Sequence, residues 1–230
     1  MSYPENPDTI ILKNKFYPKG LREIDIWNHY QSVKRDLLKQ VSFRDLTFYL
    51  IVDGKIVVRR RGKSAEYIRL NSSNYDQIIT GRTISIHSTM NREEDIGIID
   101  IDCDDWKSSK AATIETFEYM MDNAPYISNA SIRYTGKTGF HILCNLNRKI
   151  NVDATRMLLR KTLVQSPLSK RYTIEQKRTS GIPNLDLAPN KYRGGFITLY
   201  SLSTVGLVCT EVKPTDVLSY QPHYAKTKIL

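Results

Sequence analysis

Two carboxylates at i and i+2 inside an apolar run form the stretch of this sequence best suited to chemistry. They lie in Gly97-Ile98-Ile99-Asp100-Ile101-Asp102-Cys103-Asp104-Asp105. The β-branched content predicts a strand, and strand side chains alternate in direction. Asp100 and Asp102 therefore share one face, while Ile99 and Ile101 anchor the other. Two like charges side by side repel unless a cation sits between them, and carboxylate oxygens suit Mg²⁺ or Mn²⁺. An acidic turn at a strand end would use the same residues. An EF-hand loop fits less well, because Asp105 stands where it needs Gly and Ala111 where it needs Glu. Asp104 and Asp105 are better placed to serve the positive end of a following helix.

A second set is Thr135-Gly136-Lys137-Thr138-Gly139-Phe140-His141. Glycines at i and i+3 permit a tight turn with exposed amides, and Lys137 with the hydroxyls of Thr135 and Thr138 adds groups that bind phosphate. A Walker A loop would need Gly at position 131, where Ser131 stands, and a helix after the Thr. Phe140–Leu146 reads as a strand instead. The third set is Asn184-Leu185-Asp186-Leu187 followed by Asn190, Arg193 and Tyr200-Ser201. Asp186 between two leucines suggests a strand with one acidic face.

The elements that must position these groups are read from periodicity. Ile26, Tyr30, Val33 and Leu37 predict a helix over 22–40. Residues 47–52 and 55–60 flank Asp53-Gly54, a type I′ hairpin signal. Ser73–Thr80 reads as a short helix and Thr83–His87 as a strand. A helix over 108–122 would put Ala111, Ile114, Phe117 and Met121 inward, with Ser108 or Ser109 as its cap. Strands are expected at 10–12, 126–135 and 140–146. A helix at 152–165 takes Ala154, Met157, Leu158, Leu163 and Val164 as its apolar set. Short strands follow at 172–176, 185–187, 196–200 and 207–212, then a helical turn from Pro214. The class is α/β in the mixed, α+β sense, with a partly antiparallel sheet.

The chain of 230 residues has 34 Lys and Arg against 24 Asp and Glu, a net charge of +10 that favours polyanionic partners. Lys13, Lys15, Lys19 and Arg22 interleave with Phe16 and Tyr17, and Arg59, Arg60, Arg61 and Lys63 cluster at a strand end. Both groups suit nucleic-acid contacts, and both would also suit a solvated surface. Cys103, Cys144 and Cys209 form no CxxC pair, so neither zinc nor a disulfide framework is expected, and a reducing compartment is. No run has the length of a membrane span, so a cytoplasmic protein is expected, or one in the interior of a host cell.

Taken in order, Asp100-Ile101-Asp102, Thr135-Gly136-x-x-Gly139-x-His141 and Leu185-Asp186 resemble the three motifs of the archaeo-eukaryotic primase superfamily. The resemblance is nearest to the polymerase domain of bacterial ligase D and to small primase-polymerases. Phe16-Tyr17-Pro18, Ile84 to Ser88, Asp186 to Asn190 and Tyr200-Ser201 extend it over roughly residues 10–215. It implies a single catalytic core, with a small N-terminal α/β module (about 1–90) packed on an RRM-like module (about 91–220) and the site between them. It implies template-dependent nucleotidyl transfer that makes or extends primers, with single-stranded or primer-template DNA and nucleoside triphosphates as partners and room for a helicase or ligase. Asp100, Asp102 and Asp186 would hold two metal ions, and the 135–139 turn, His141, His87 and Ser201 would meet the nucleotide. The Arg that follows the Tyr-Ser pair in the ligase-associated domains is absent, which leaves Arg193 or Lys191. A module of the same fold without catalysis and a metal-dependent nuclease are the other readings.

Overall fold

The computed structural model describes residues 4, 6–62, 65–176 and 179–227. In chain order the elements are β1 (Ile10–Leu12), β2 (Leu21–Arg22), α1 (Glu23–Ser32), α2 (Lys34–Val41), β3 (Leu46–Val52), β4 (Lys55–Arg59), α3 (Tyr75–Ile78), β5 (Thr83–Thr89), β6 (Glu93–Asp102), α4 (Trp106–Asn123), β7 (Ile127–Tyr134), β8 (Phe140–Asn151), α5 (Val152–Gln165), β9 (Thr173–Ile174), β10 (Asn184–Asp186), β11 (Gly195–Ile197) and β12 (Thr210–Val212). No helix among the described residues is long and apolar enough to cross a membrane. The chain forms two compact units, with crossings at 89/90, 194/195, 209/210 and 220/221 rather than one division near 90.

The first unit holds a four-stranded antiparallel sheet in the order β11-β5-β3-β4, with α1 to α3 and the β1-β2 pair. Asp53 and Gly54 join β3 to β4 with φ of 49° and 72°, the left-handed pair that a type I′ turn requires. The single helix expected over 22–40 is two, broken at Val33 (φ −103°, ψ 4°), where the Ser32 hydroxyl draws on the His29 carbonyl. Leu21, Ile26, Tyr30, Leu37, Phe48, Ile84 and Ile86 are buried in this unit.

His29 is buried in the same unit, with Nε2 2.9 Å from the Tyr200 carbonyl and its ring edge-on to Tyr30. Burial holds its pKa down to about 4. Between that value and the ordinary 6.5, the unfolded chain binds a proton that the folded one refuses. The contribution is therefore complete above pH 6.5 and is lost as pH falls towards 4, by about 3 kcal/mol at most. Urea unfolding across that window should show a shallower loss for His29→Gln than for the parent. Equal slopes would remove His29 from the acid response.

The second unit is built on a six-stranded sheet in the order β12-β7-β8-β6-β10-β9, antiparallel except for β9 beside β10. Tyr134, Phe140, Ile101 and Leu185 lie in one cross-strand row. Trp106 of α4 stacks on Phe140 at 5.3 Å and meets Tyr134 edge-on. Gly97 has the same parity as Ile101, and a Cβ there would come 2.8 Å from Thr155 and 3.0 Å from Leu159 of α5. Both helices therefore cover one face of the sheet, and α5 approaches as closely as only Gly permits.

Two inward sets differ from expectation. Helix α4 buries Ser109, Ala112, Thr113, Thr116 and Met120, leaving Ala111, Ile114, Phe117 and Met121 half-buried. Small hydroxyl residues lie closest to the sheet, and Thr113 satisfies its hydroxyl on the Ser109 carbonyl. Its cap is Asp105, which accepts from the Ser108 amide at 2.6 Å, in place of Ser108 or Ser109 themselves. Helix α5 buries Val152, Thr155, Leu159 and Leu163, while Met157, Leu158 and Val164 face outward.

Candidate metal centre and anion-binding turn

Strand β6 carries Asp100 and Asp102 on the sheet face that α4 and α5 leave open. Ile99 and Ile101 are fully buried on the other. Strand β10 runs antiparallel with Asp186 directly opposite Asp100, and opposed residues point to the same side. The three carboxylates, all half-buried, bring oxygens within 4.8 Å of one another. A cation between them removes the repulsion that this proximity creates, and an all-oxygen donor set can hold a divalent metal ion.

Two local devices fix this geometry. Asp186 Oδ1 accepts from the Ala188 amide at 2.8 Å, which orients the carboxylate in a turn. Because β10 ends at Asp186, β6 would have no hydrogen-bonding neighbour at Ile98. The fully buried Asn190 supplies one, accepting from the Ile98 amide at 2.7 Å and donating to its carbonyl at 2.5 Å. Asn190 thus extends the ladder by a side chain where the strand stops.

The row continues across the sheet. His141 lies opposite Asp100, Arg133 opposite His141 and Glu211 opposite Arg133. His141 is buried, with Nε2 3.5 Å from Asp100 Oδ1, and its Nδ1 has no hydrogen-bond partner among the described residues. A buried imidazole nitrogen left so is a group that a bound anion or hydroxyl can satisfy. Arg133 was not singled out from the sequence. Strand alternation backwards from Thr135 places it on this face, but only the register puts it beside His141.

The turn between β7 and β8 is closed by the Thr135 amide and hydroxyl, which both donate to the Gly139 carbonyl at 3.1 and 3.0 Å. Gly136 has φ 83°, a left-handed conformation suited to Gly. Tyr134 pins the Lys137 carbonyl at 2.9 Å, and the Lys137 side chain is exposed. Gly139 is needed for another reason: a Cβ there would stand 2.5 Å from the Ile101 carbonyl of β6. Turn and acid strand are therefore in backbone contact. Strand β8 follows the turn directly, as expected for a loop that is not a Walker A motif.

Other expected residues lie elsewhere. Arg193, in the second unit, has φ 61° and stands over Tyr192 at 4.9 Å. His87, in the first unit, contacts Ser85 Oγ at 3.1 Å and stacks on Tyr49 at 4.7 Å. Ser201 is a correction. It is fully buried in the first unit, where its hydroxyl accepts from the Ile86 amide and donates to the Leu202 carbonyl, so it acts as a core hydroxyl. Arg22 is a second correction, since it caps α1 through Asp25 at 3.0 Å and reaches Asp8 at 3.3 Å. Lys13, Lys15 and Lys19 are exposed. Val58, Arg59, Arg60, Arg61 and Tyr67 line a shallow groove of 720 Å³, with Arg61 stacked over Tyr67 at 4.5 Å. Lys63 lies outside the described residues.

No protein-family model and no curated protein matches the sequence. A solved structure does match in three dimensions. It is the polymerase domain of Mycobacterium tuberculosis ligase D in complex with DNA, similar with a TM-score of 0.77 over 93% of this chain and 87% of that one, at 14% identity. The fold is that of a polymerase domain. The expected nearness to the ligase D polymerase domain is thus borne out at the level of fold, which sequence identity this low would not reveal.

Asp104 and Asp105 do separate work beside the acid strand. Asp104 accepts from the Gly181 amide at 2.8 Å and the Ser180 hydroxyl at 2.9 Å, and these bonds, the amide first, hold its pKa below the ordinary value. It ties the loop ahead of β10 to the end of β6. Asp105 is the α4 cap, and the Ser108 bonds lower its pKa likewise.

Proposed function

We propose that this chain is a template-dependent nucleotidyltransferase, a DNA primase or primase-polymerase that makes or extends short primers on single-stranded DNA. The observation that carries the reading is the approach of Asp100, Asp102 and Asp186 to within 4.8 Å on one open sheet face, with His141 next in the row. The likeness to a polymerase domain solved with DNA supports it. On this reading the three carboxylates hold two divalent ions, Mg²⁺ or Mn²⁺, whose chemistry when bound is to lower the pKa of the attacking hydroxyl and to stabilise the departing pyrophosphate.

The chain's own groups do the rest. The 135–139 turn offers backbone amides and Lys137 to the triphosphate, and His141 adds its imidazole from the exit strand. Thr138 and Gly136 belong to the same cradle. The Thr135 hydroxyl proton is already committed to Gly139, so Thr135 shapes the turn. Arg193 is the cation proposed in place of the missing Arg, and His87 is the proposed contact from the first unit. The primer hydroxyl attacks the α-phosphorus, the new P–O bond forms and pyrophosphate leaves. Lys13, Lys15, Lys19 and the Arg59–Arg61 cluster track template phosphates.

Incubation with a labelled primer-template, nucleotides and Mn²⁺ tests this directly. Primer extension is expected. Strand cleavage without extension would make the acids those of a nuclease, and binding alone would make the chain a nucleic-acid-binding module. Template affinity should also fall steeply with salt. Arg59→Ala with Arg61→Ala should flatten the log–log slope by about 1.4, two single-strand contacts at about 0.7 each. An unchanged slope in fluorescence anisotropy would leave the cluster a solvated strand end.

A further inference from the structure

Helix α5 turns outward the residues that its sequence would send to a core. Met157, Leu158 and Val164 are 72, 37 and 46% exposed. Met157 and Val164 are seven residues apart, so they sit on one helix face two turns from each other. Leu158 lines a pocket of 180 Å³ together with Tyr126, Leu146 and Ile150. The wall is fixed by a hydrogen bond of 2.8 Å between the Tyr126 hydroxyl and Thr162 of α5. Surface aliphatics scattered singly need no explanation, whereas a stripe running into a formed pocket marks a contact site.

The rim is basic. Residues 146–165 contain Arg148, Lys149, Arg156, Arg160 and Lys161 against one carboxylate, Asp153. Glu175 takes up Arg156 at 2.5 Å and Arg160 at 3.3 Å. Arg148, Lys149 and Lys161 are exposed and form no ion pair among the described residues. They leave positive charge on both sides of the apolar stripe. The surface lies on the helix-covered side of the sheet, so it is separate from the face that carries Asp100.

We propose that this α5 groove docks an acidic, amphipathic helical segment of a partner protein. The two-turn spacing of Met157 and Val164 matches the repeat of a partner helix, and the basic rim complements acidic flanks. Aliphatic side chains offer no stacking platform for bases, which argues against nucleic acid in the groove. A second copy of this chain would bring the same basic rim against itself.

The test is selection from a displayed library of random peptides of about 16 residues, roughly four helical turns. The full chain is the target, with counter-selection on the Met157→Glu, Val164→Glu double variant. Enriched peptides should carry acidic residues and apolar residues at three- and four-residue spacing. A labelled synthetic copy of the most enriched peptide should bind the parent about tenfold or more tightly than the double variant, and Lys161→Glu should weaken it by about threefold. All these positions are exposed, so the variants should melt with the parent. The proposal is overturned if no peptide is enriched, or if enriched peptides bind parent and variant alike or lack the acidic amphipathic pattern. It is also overturned if the double variant loses single-stranded DNA binding, or if it splits a dimer that the parent forms in sedimentation.

Discussion

Asp186→Asn is expected to abolish nucleotide incorporation, by about a thousandfold or more, while leaving template binding near the parent level. The magnitude follows from what a bound metal supplies. Several kcal/mol of transition-state stabilisation depend on the carboxylate set, and each 1.36 kcal/mol is tenfold in rate. The substitution keeps the shape of the side chain and the oxygen that accepts from Ala188, so the turn after β10 survives. It removes one of three charges held within 4.8 Å. Each carboxylate pair at that distance repels by about 1 kcal/mol in water-like surroundings and several times more where water is excluded. In EDTA the variant should therefore melt a few degrees above the parent, and Mn²⁺ should raise the melting temperature of the parent alone. A structural acid would behave in the opposite way on removal. Primer-extension gels beside thermal melts decide the matter: near-normal incorporation, or an equal Mn²⁺ response in both proteins, would sink the metal assignment.

The parts of this site that sequence reveals are the local ones. Alternation along one strand was enough to put Asp100 and Asp102 on the same side, because the period of a strand is fixed by its backbone. The Asp53-Gly54 hairpin was legible for the same reason, since two left-handed residues in a row leave few alternatives. What the sequence withholds is register. That Asp186 faces Asp100, that His141 lies on its other side, and that Arg133 stands beyond depend on pairings between residues far apart in the chain. The motif order suggested that these groups meet but supplied no geometry. Helix phase is the other weak point. The apolar residues of α5 fit two faces, and the choice was made by Gly97 on a neighbouring strand, whose missing side chain admits Thr155 and Leu159. Ser201 misled because a Tyr-Ser pair reads the same whether its hydroxyl meets a ligand or the amide of Ile86.

Gly139→Val should act on the acids themselves, through the contact between turn and strand. Any Cβ at this position stands 2.5 Å from the Ile101 carbonyl, and Ile101 lies between Asp100 and Asp102. Backbone cannot rotate away as a side chain would, so β6 or the turn must move. Overpacking of this kind costs about 1–3 kcal/mol of stability. A shift near 1 Å at the reacting groups costs about a hundredfold in rate. We expect Gly139→Val to lower kcat by about that factor and to melt below the parent, with template affinity retained because the exposed cations are untouched. Gly136→Ala provides the contrast. Its φ of 83° makes Ala strained by roughly 1–2 kcal/mol, but the effect stays in the turn and should appear as a raised nucleotide KM. His141→Ala separates cradle from strand once more: it deletes one donor worth roughly 1.5–3 kcal/mol, hence about ten- to hundredfold in kcat/KM, without a steric push on β6. Steady-state incorporation kinetics on the three proteins, each checked for folding, should therefore give a kcat defect for Gly139→Val and a KM defect for Gly136→Ala. Parent-like kinetics in folded Gly139→Val would mean that the Ile101 segment does not position the reacting groups. Parent-like nucleotide kinetics in His141→Ala would leave that imidazole as a structural neighbour of Asp100 and would remove the turn from the triphosphate site.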